Sequence, residues 1–458
     1  MTAQVRRLRL HITSLLSRPP VRRHAKSALY NVADYLSQPF LLLIATPIIV
    51  RHLGLEMYGI WVVINGLAGG LAVFGLGIGD AATKHIAACR GREDYRGAAR
   101  VFEATLSLSI TTAILGGGLV LTAANVIARY AFRMETGDHA AVAVAVRAGA
   151  VLLALRWIEA AYTSTLKAYE RYDISAWICT PIKTLIIISI VILALGGYGV
   201  VTILLATAGW TLVGLLLMAW QVRRLDSHMS FLPVVDLARW RKLASFGTFS
   251  GIQSIANMIF TQADRLIVGA AIGPAAAGAY SVCLQLVQPI QTICVQAFNF
   301  VFPCISHKTE AGEHESARHF VRTILTISVA LTVLLSLPLL LAGRPLLSLY
   351  MGAEFAKTNY SVLPILTIAF AIISISVVPY YALLGTGQVR FVSLLNLFAG
   401  ITAAACAAWW TPHFGPLGAA FSRLLYGCIA CGSFLRLAKT FNLPSPSFLR
   451  TAPGAIKP

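Results

Sequence analysis

The sequence predicts an all-α membrane protein of about twelve transmembrane helices, in two six-helix lobes around a central cavity. Three observations lead there. Hydrophobic residues make up 57% of the 458 residues and charged ones only 12%. A soluble domain of this length needs a larger charged skin than that. Apolar windows of about 20 residues, enough to cross a hydrocarbon core, recur along the chain. Lys and Arg gather in alternate connections between those windows, as the positive-inside rule requires.

In order, the predicted spans are 28–50, 59–81, 101–125, 145–166, 176–196 and 199–220, then 245–270, 276–305, 321–342, 361–384, 391–410 and 415–435. Two carry more than one charge: 145–166 holds Arg147, Arg156 and Glu159, and 245–270 ends in Asp264 and Arg265. The formal charge of +19 suggests nucleic acid at first sight, but its placement argues for a membrane and no nucleic-acid partner. The tail holds Arg6, Arg7, Arg9, Arg18, Arg22, Arg23 and Lys26. The next loop on that side holds Lys84, Arg90, Arg92, Arg96 and Arg100, and the mid-chain connector holds Arg223, Arg224, Arg239, Arg241 and Lys242. The opposite side has Arg51, Arg129, Arg133, Arg344 and Lys357. This asymmetry places both termini in the cytoplasm and the protein in a bacterial cytoplasmic (inner) membrane. The basic tail runs into a full-length span without a small-residue cleavage signal, so it reads as a signal anchor.

An internal repeat divides the chain. Leu53-Gly54 and Gly59-Ile60-Trp61 match Ile272-Gly273 and Gly278-Ala279-Tyr280 at a shift of 219 positions. The same shift lays Arg171-Tyr172 on Arg390-Phe391 and Gly199-Val200 on Gly418-Ala419. Each half then holds six spans as parallel repeats, an arrangement suited to alternating access. The expected domains are a basic tail 1–27, an N-lobe 28–220, a linker 221–244, a C-lobe 245–435 and a tail 436–458. The linker is basic and partly amphipathic (Phe231, Leu232, Val234, Val235, Leu237, Trp240), as for a segment lying on the membrane surface.

No Walker loop, strand-borne GxGxxG or HExxH occurs, and no extramembrane segment has the length of a catalytic domain. The expectation is therefore not an enzyme, with no catalytic residue, cofactor or metal. Cys428 and Cys431 form a CxxC on an apolar helix without a nearby His, which reads as packing.

The candidate site residues are polar groups inside spans, where charge is costly and turns toward a protein interior. At 100° per residue, Ser250, Gln253, Asn257, Thr261 and Asp264 share one arc, with Arg265 beside it. Ser281, Gln285, Gln288, Thr292, Gln296 and Asn299 share another, with Pro289 as a kink. Arg156, Glu159, Thr163 and Lys167 line a third helix, and Asn31, Asp34 and Gln38 a fourth. Such stripes either line a hydrated cavity or bond neighbouring helices. Arg156 and Glu159 can also form an i,i+3 pair, and Arg147 points away from them toward an interface. Lys183 and Arg423 lie well inside their spans and suit contact with an anion. Asp34, Asp80 and Glu159 are ion-coupling candidates, the two aspartates if burial raises their pKa.

The run Pro47-Ile48-Ile49-Val50-Arg51-His52-Leu53-Gly54, then Tyr58-Gly59-Ile60-Trp61 and Gly75-Leu76-Gly77-Ile78-Gly79-Asp80-Ala81, resembles the opening of polysaccharide-export flippases. These belong to the multidrug/oligosaccharidyl-lipid/polysaccharide exporter (MOP) superfamily. Asp264-Arg265-Leu266-Ile267-Val268-Gly269 and Gly278-Ala279-Tyr280-Ser281 are similar to its seventh-to-eighth span pattern, and Gly385-Thr386-Gly387-Gln388 with Arg390 and Asn396 also fits. The resemblance covers about 28–435. It implies two lobes that move a polyprenyl-diphosphate-linked oligosaccharide to the outer leaflet, with cation coupling often proposed. Arg156, Lys183, Arg265 and Arg423 would then meet anionic groups, with Gln253, Asn257, Gln285, Gln288 and Asp264 facing sugars. Partners would be the lipid-linked oligosaccharide, membrane lipids, and a glycan polymerase with export machinery. The alternatives are a peptidoglycan lipid-precursor flippase, a multidrug/cation antiporter, and a membrane polymerase or ligase of lipid-linked glycans.

Overall fold

The computed structural model describes residues 39–132, 139–230, 234 and 236–441, and every regular element among them is helical. Helix α1 covers Pro39–Leu53. It is followed by α2 (Leu55–Gly91), α3 (Tyr95–Tyr130), α4 (His139–Ala168), α5 (Tyr172–Leu195) and α6 (Val200–Leu225). Next come α7 (Leu237–Ala271), α8 (Pro274–Phe298), α9 (Val301–Glu310), α10 (His314–Met351) and α11 (Ala353–Asn359). The last are α12 (Val362–Ile375), α13 (Val377–Gly385), α14 (Val389–Phe414), α15 (Pro416–Ala430) and α16 (Gly432–Thr440).

Each predicted span overlaps a described helix, or a consecutive pair, in the expected order. Nine of the described helices are long and apolar enough to cross a membrane, counting α8–α9, α12–α13 and α15–α16 as one each. The charged 145–166 is among them, as α4. The predicted span 245–270 lies on the 35-residue α7, most of whose first-half side chains lie outside the described residues. The tails 1–27 and 442–458 lie outside the described residues, as does the first part of the first span.

The chain divides into two compact units, Met1–Met258 and Ile259–Pro458, and the division falls within α7. In the first unit α4 packs against α2, α3 and α6. Its apolar window is largely buried, whereas those of α3 and α5 are largely exposed, as suits helices facing lipid. Phe102, Leu106, Tyr162, Leu166 and Met218 form the core at one end, with the Phe102 and Tyr162 rings edge to face at 5.5 Å. The connector is seated on this unit. The Ser107 hydroxyl donates to the Val234 carbonyl at 2.8 Å and accepts from the Trp240 indole N–H at 3.0 Å. Leu243 is buried against Ala81 and Ala104. Val234 and Leu237 are exposed, while Phe231, Leu232 and Val235 lie outside the described residues.

In the second unit α12 is the buried helix, packed on α8, α10 and α15. Val301, Ile305, Val321, Val378 and Leu383 form a core where α9 meets α10 and α13. Helix α10 contains Pro338 and kinks at Ala342 (φ −118°, ψ 20°). Pro345, three residues on in the same helix, cannot donate to the helical ladder, and its ring crowds the turn that holds Ala342.

The repeat is visible in the turns of both units. Gly54 (φ 80°, ψ 159°) opens α2 and Gly273 (φ 130°, ψ 169°) opens α8, a backbone region restricted to glycine. Helix α2 and the α8–α9 pair are both 37 residues long. They end in the same turn: Glu93 N–H donates to Arg90 O and Asp94 N–H to Cys89 O, as Gly312 donates to Thr309 O and Glu313 to Lys308 O. The turns after α5 and α14 also keep the offset, at Gly196 and Gly415. Arg171 departs from it. It is the N-cap of α5, and the N-cap of α14 is Gln388 rather than Arg390. The helix ends set a two-residue slip there, absorbed because α5 has 24 residues and α14 has 26.

Gly199 and Gly418, matched by sequence, differ in surroundings. A Cβ on Gly418 would lie 2.5 Å from the Trp410 carbonyl carbon, while one on Gly199 would meet nothing within 4 Å. Backbone cannot yield as a flexible side chain does. Gly418→Ala is therefore expected to cost about 1–3 kcal/mol and Gly199→Ala much less, read as the thermal stability of detergent-solubilised protein.

Candidate functional site

In the first unit the α4 stripe follows the helical period. Arg156, Glu159 and Thr163 are half-buried and Lys167 is exposed, while Leu152, Leu153, Trp157 and Ala161 on the other side are buried. No ion pair joins Arg156 to Glu159 among the described residues. Arg147 is exposed and donates to Asn125 at 3.2 Å, away from that stripe. Lys183 is half-buried on α5, two residues after Pro181. Asp80 is exposed on α2, so the burial anticipated for it is absent. Its neighbours Ala81 and Ala82 take the buried positions instead. Asp34 lies outside the described residues.

In the second unit Gln285, Gln288, Thr292 and Gln296 are half-buried along α8, Ser281 is buried and Asn299 is exposed. Gln253 and Asn257 are positions of α7 whose side chains lie outside the described residues. Arg265 is half-buried. Two of the predicted residues meet. The Arg423 guanidinium on α15 contacts Asp264 Oδ2 on α7 at 2.7 Å, with side chains 5% and 6% exposed. The same oxygen accepts from the Tyr280 hydroxyl at 2.8 Å, and Oδ1 accepts from the Arg265 backbone N–H at 2.9 Å. Arg423 also donates to the Phe260 carbonyl and lies over the rings of Phe260 and Phe370, 4.6 and 5.3 Å from their centres. The pair borders a narrow cleft lined by Ala263, Gly400, Ala403, Ala404 and Tyr426, with room for about one water molecule.

This arrangement changes what Arg423 can do here. A guanidinium already engaged by a carboxylate, a carbonyl and two rings has no free face for a phosphate, so the anion contact expected of it requires the pair to open. Sequence reading missed Tyr280 as a member of this cluster, along with Phe260 and Phe370. Tyr280 follows Asp264 by sixteen positions across a helix break, a spacing without a periodic signal.

A second cluster, also unforeseen, lies where the ends of α2, α4 and α6 meet. Arg90 donates to the Ala168 carbonyl at 2.7 Å and stacks on the Tyr169 ring at 4.4 Å. The Tyr169 hydroxyl donates to Asp226 Oδ2 at 2.7 Å. Both the backbone N–H and the imidazole Nδ1 of His228 lie 3.0 Å from Asp226 Oδ1. Burial pushes the Asp226 carboxyl up, but the hydrogen bonds from Tyr169 and His228 outweigh it and hold the group below the usual carboxylate range. Burial raises the Tyr169 phenol, and the bond to Asp226 raises it further.

The signs follow from linkage. A lowered carboxyl contributes stability above its unfolded pKa of about 3.9 and loses it as the pH falls. A raised phenol contributes below about 10 and loses it as the pH rises. Asp226→Asn is expected to lower thermal stability at neutral pH and to flatten the acid limb of a stability–pH profile.

Comparisons with known proteins bear on what these clusters serve. A model of the family described as "Polysaccharide biosynthesis protein" matches residues 25–309. The chain is 21% identical over 400 residues to the "Putative O-antigen transporter" of Shigella flexneri, covering 87% of this chain and 93% of that one. It is 20% identical over 381 residues to the "Uncharacterized membrane protein EpsK" of Bacillus subtilis (strain 168), covering 81% and 73%. Among solved structures, an inward-facing multidrug resistance MATE family transporter of the MOP superfamily matches with a TM-score of 0.75 at 15% identity, covering 91% of this chain and all of that one. A MOP superfamily transporter from Pyrococcus furiosus, described as having reverse polarity of the binding pocket, matches at 0.58 and 15%, covering 90% and 96%. At such identities the likeness is one of fold.

Proposed function

Because this chain belongs to the polysaccharide biosynthesis protein family, within the MOP superfamily, we propose that it is a flippase for polyprenyl-diphosphate-linked oligosaccharide. In this reading the repeat unit of a polysaccharide or O-antigen crosses the cytoplasmic membrane from the inner to the outer leaflet by alternating access. The observation that carries it is the relation to the Shigella flexneri transporter over 87% of the chain, which spans both units. The half-buried cations Arg156 and Lys183 support it, since a diphosphate is bound by charge-assisted hydrogen bonds. The half-buried amides Gln285 and Gln288 suit sugar hydroxyls. Both termini lie in the cytoplasm, and a glycan polymerase acts on the delivered units.

The multidrug reading rests on fold alone, because the MATE structures share only 15% identity. The test is the lipid-linked sugar pool of a deletion strain, sorted by leaflet with an impermeant glycan-modifying reagent. Complete oligosaccharide-diphosphate lipids are expected to accumulate on the cytoplasmic leaflet. Units that reach the outer leaflet and stall there unpolymerised would replace this reading with the polymerase or ligase one.

A further inference from the structure

The two faces of α8 differ in kind. Val287, Ile290, Cys294 and Phe298 are buried where the helix packs, chiefly on α12 and α10. At 100° per residue, Gln285, Gln288, Thr292 and Gln296 lie on the opposite side, all of them half-buried. The Thr292 hydroxyl is used within the helix, donating to the Gln288 carbonyl at 3.0 Å. Among the described residues, none hydrogen-bonds the carboxamides of Gln288 and Gln296, and both residues keep some exposure. Amides that glue helices together are bonded across them, so these two have another use.

The fold does not require amides there. At the repeat offset, Gln285, Gln288, Thr292 and Gln296 correspond to Gly66, Gly69, Val73 and Gly77 on α2. Gly66 and Gly77 are buried, so the first unit packs with bare backbone where the second carries long amides. The chemistry of the α8 face is neutral. Helices α8, α12 and α13 contain no Asp, Glu, Lys or Arg. The half-buried cations Arg156 and Lys183 belong to the first unit. In the second, Arg423 is engaged by Asp264 and Arg265 stands on α7. A carboxamide offers donors and an acceptor without charge, the same pattern as the hydroxyl and acetamido groups of a sugar. An acidic sugar on this face would lose hydration without gaining a cation.

We propose that the α8 amide face reads the glycan, and that the part of the glycan it takes is uncharged, built from sugars bearing hydroxyl and acetamido groups. Gln288 and Gln296 set this preference. They stand about 12 Å apart along the helix, farther than one sugar ring reaches, so each meets a different part of the chain of sugars. This inference rests on the flippase reading. That reading holds equally for acidic and neutral repeat units, and the amide face selects between them.

The full-length protein in liposomes tests this with two synthetic polyprenyl-diphosphate trisaccharides that differ only in one ring, a hexose or its uronic acid. Movement between leaflets is read as the fraction of each probe that impermeant periodate reaches over time. The wild type is expected to move the neutral probe about tenfold faster than the acidic one. Gln288→Ala with Gln296→Ala should slow the neutral probe about tenfold at unchanged thermal stability, through the loss of two neutral hydrogen bonds. Gln288→Lys with Gln296→Lys should reverse the preference; if that variant does not fold, the alanine pair carries the test. Equal movement of both probes by the wild type overturns the inference, as does wild-type movement by the alanine pair. A loss of thermal stability or of oligomer mass in the alanine pair, with the neutral preference kept, would assign the face to a neighbouring helix or a second copy and overturn it too. These outcomes leave the flippase reading standing, whereas a wild type that moves neither probe overturns that reading and this inference with it.

Discussion

Replacing Arg423 by methionine alone is expected to cost the second unit about 3–5 kcal/mol, because it strands the buried Asp264 carboxylate without its cationic partner. Asp264→Leu combined with Arg423→Met should recover most of that loss. Leu and Met roughly match the removed side chains in volume, and well-packed apolar replacements of a buried pair are commonly neutral or stabilising. At the repeat offset the first unit already shows an uncharged solution, with Ala45 at the position of Asp264 and Leu204 at that of Arg423, both buried. Thermal unfolding of the three variants in one detergent would check the order: wild type near the double variant, and Arg423→Met well below both. A double variant as unstable as the single one would mean the pair is structural, contrary to what the repeat indicates.

Loss of the half-buried cations of the first unit should instead leave stability nearly unchanged and remove function. Arg156 and Lys183 sit on α4 and α5 at half-buried positions, so truncation to alanine removes little buried apolar surface. A charge-assisted hydrogen bond is worth about 1.5–3 kcal/mol, and each 1.4 kcal/mol is a factor of ten in binding. Lys183→Ala and Arg156→Ala are each expected to lower delivery of lipid-linked units to the outer leaflet by about tenfold or more, at wild-type protein levels. Lys183→Arg should retain more delivery than Lys183→Ala, since it keeps the charge. Full delivery by both alanine variants would remove these residues from the diphosphate site.

Hydropathy located the helices because lipid imposes one rule on every span, and that rule is written locally. The repeat was legible where a turn needs one backbone geometry, as at Gly54 and Gly273. It misled at Arg171, where two similar dipeptides match but the helix ends do not. The site was legible only in part. Helical geometry could place Asp264 on the polar face of α7. That its partner is Arg423, on another helix far along the chain, is a tertiary fact with no local trace. The exposure of Asp80 was illegible for a similar reason: a helix position does not say which face the neighbours cover, and here they cover Ala81 and Ala82.

The seating of the connector on Ser107 bears on how the protein is made. The described contacts that seat it on the first unit lie upstream in the chain: Ser107 holds Val234 and Trp240, and Ala81 and Ala104 receive Leu243. Chains fold as they are synthesised, with the amino-terminal part first. The connector can therefore lock down while the ribosome is still translating the second repeat. The nascent first half would be shielded from pairing with the like helices that follow it, a hazard peculiar to a protein built from two copies of one pattern.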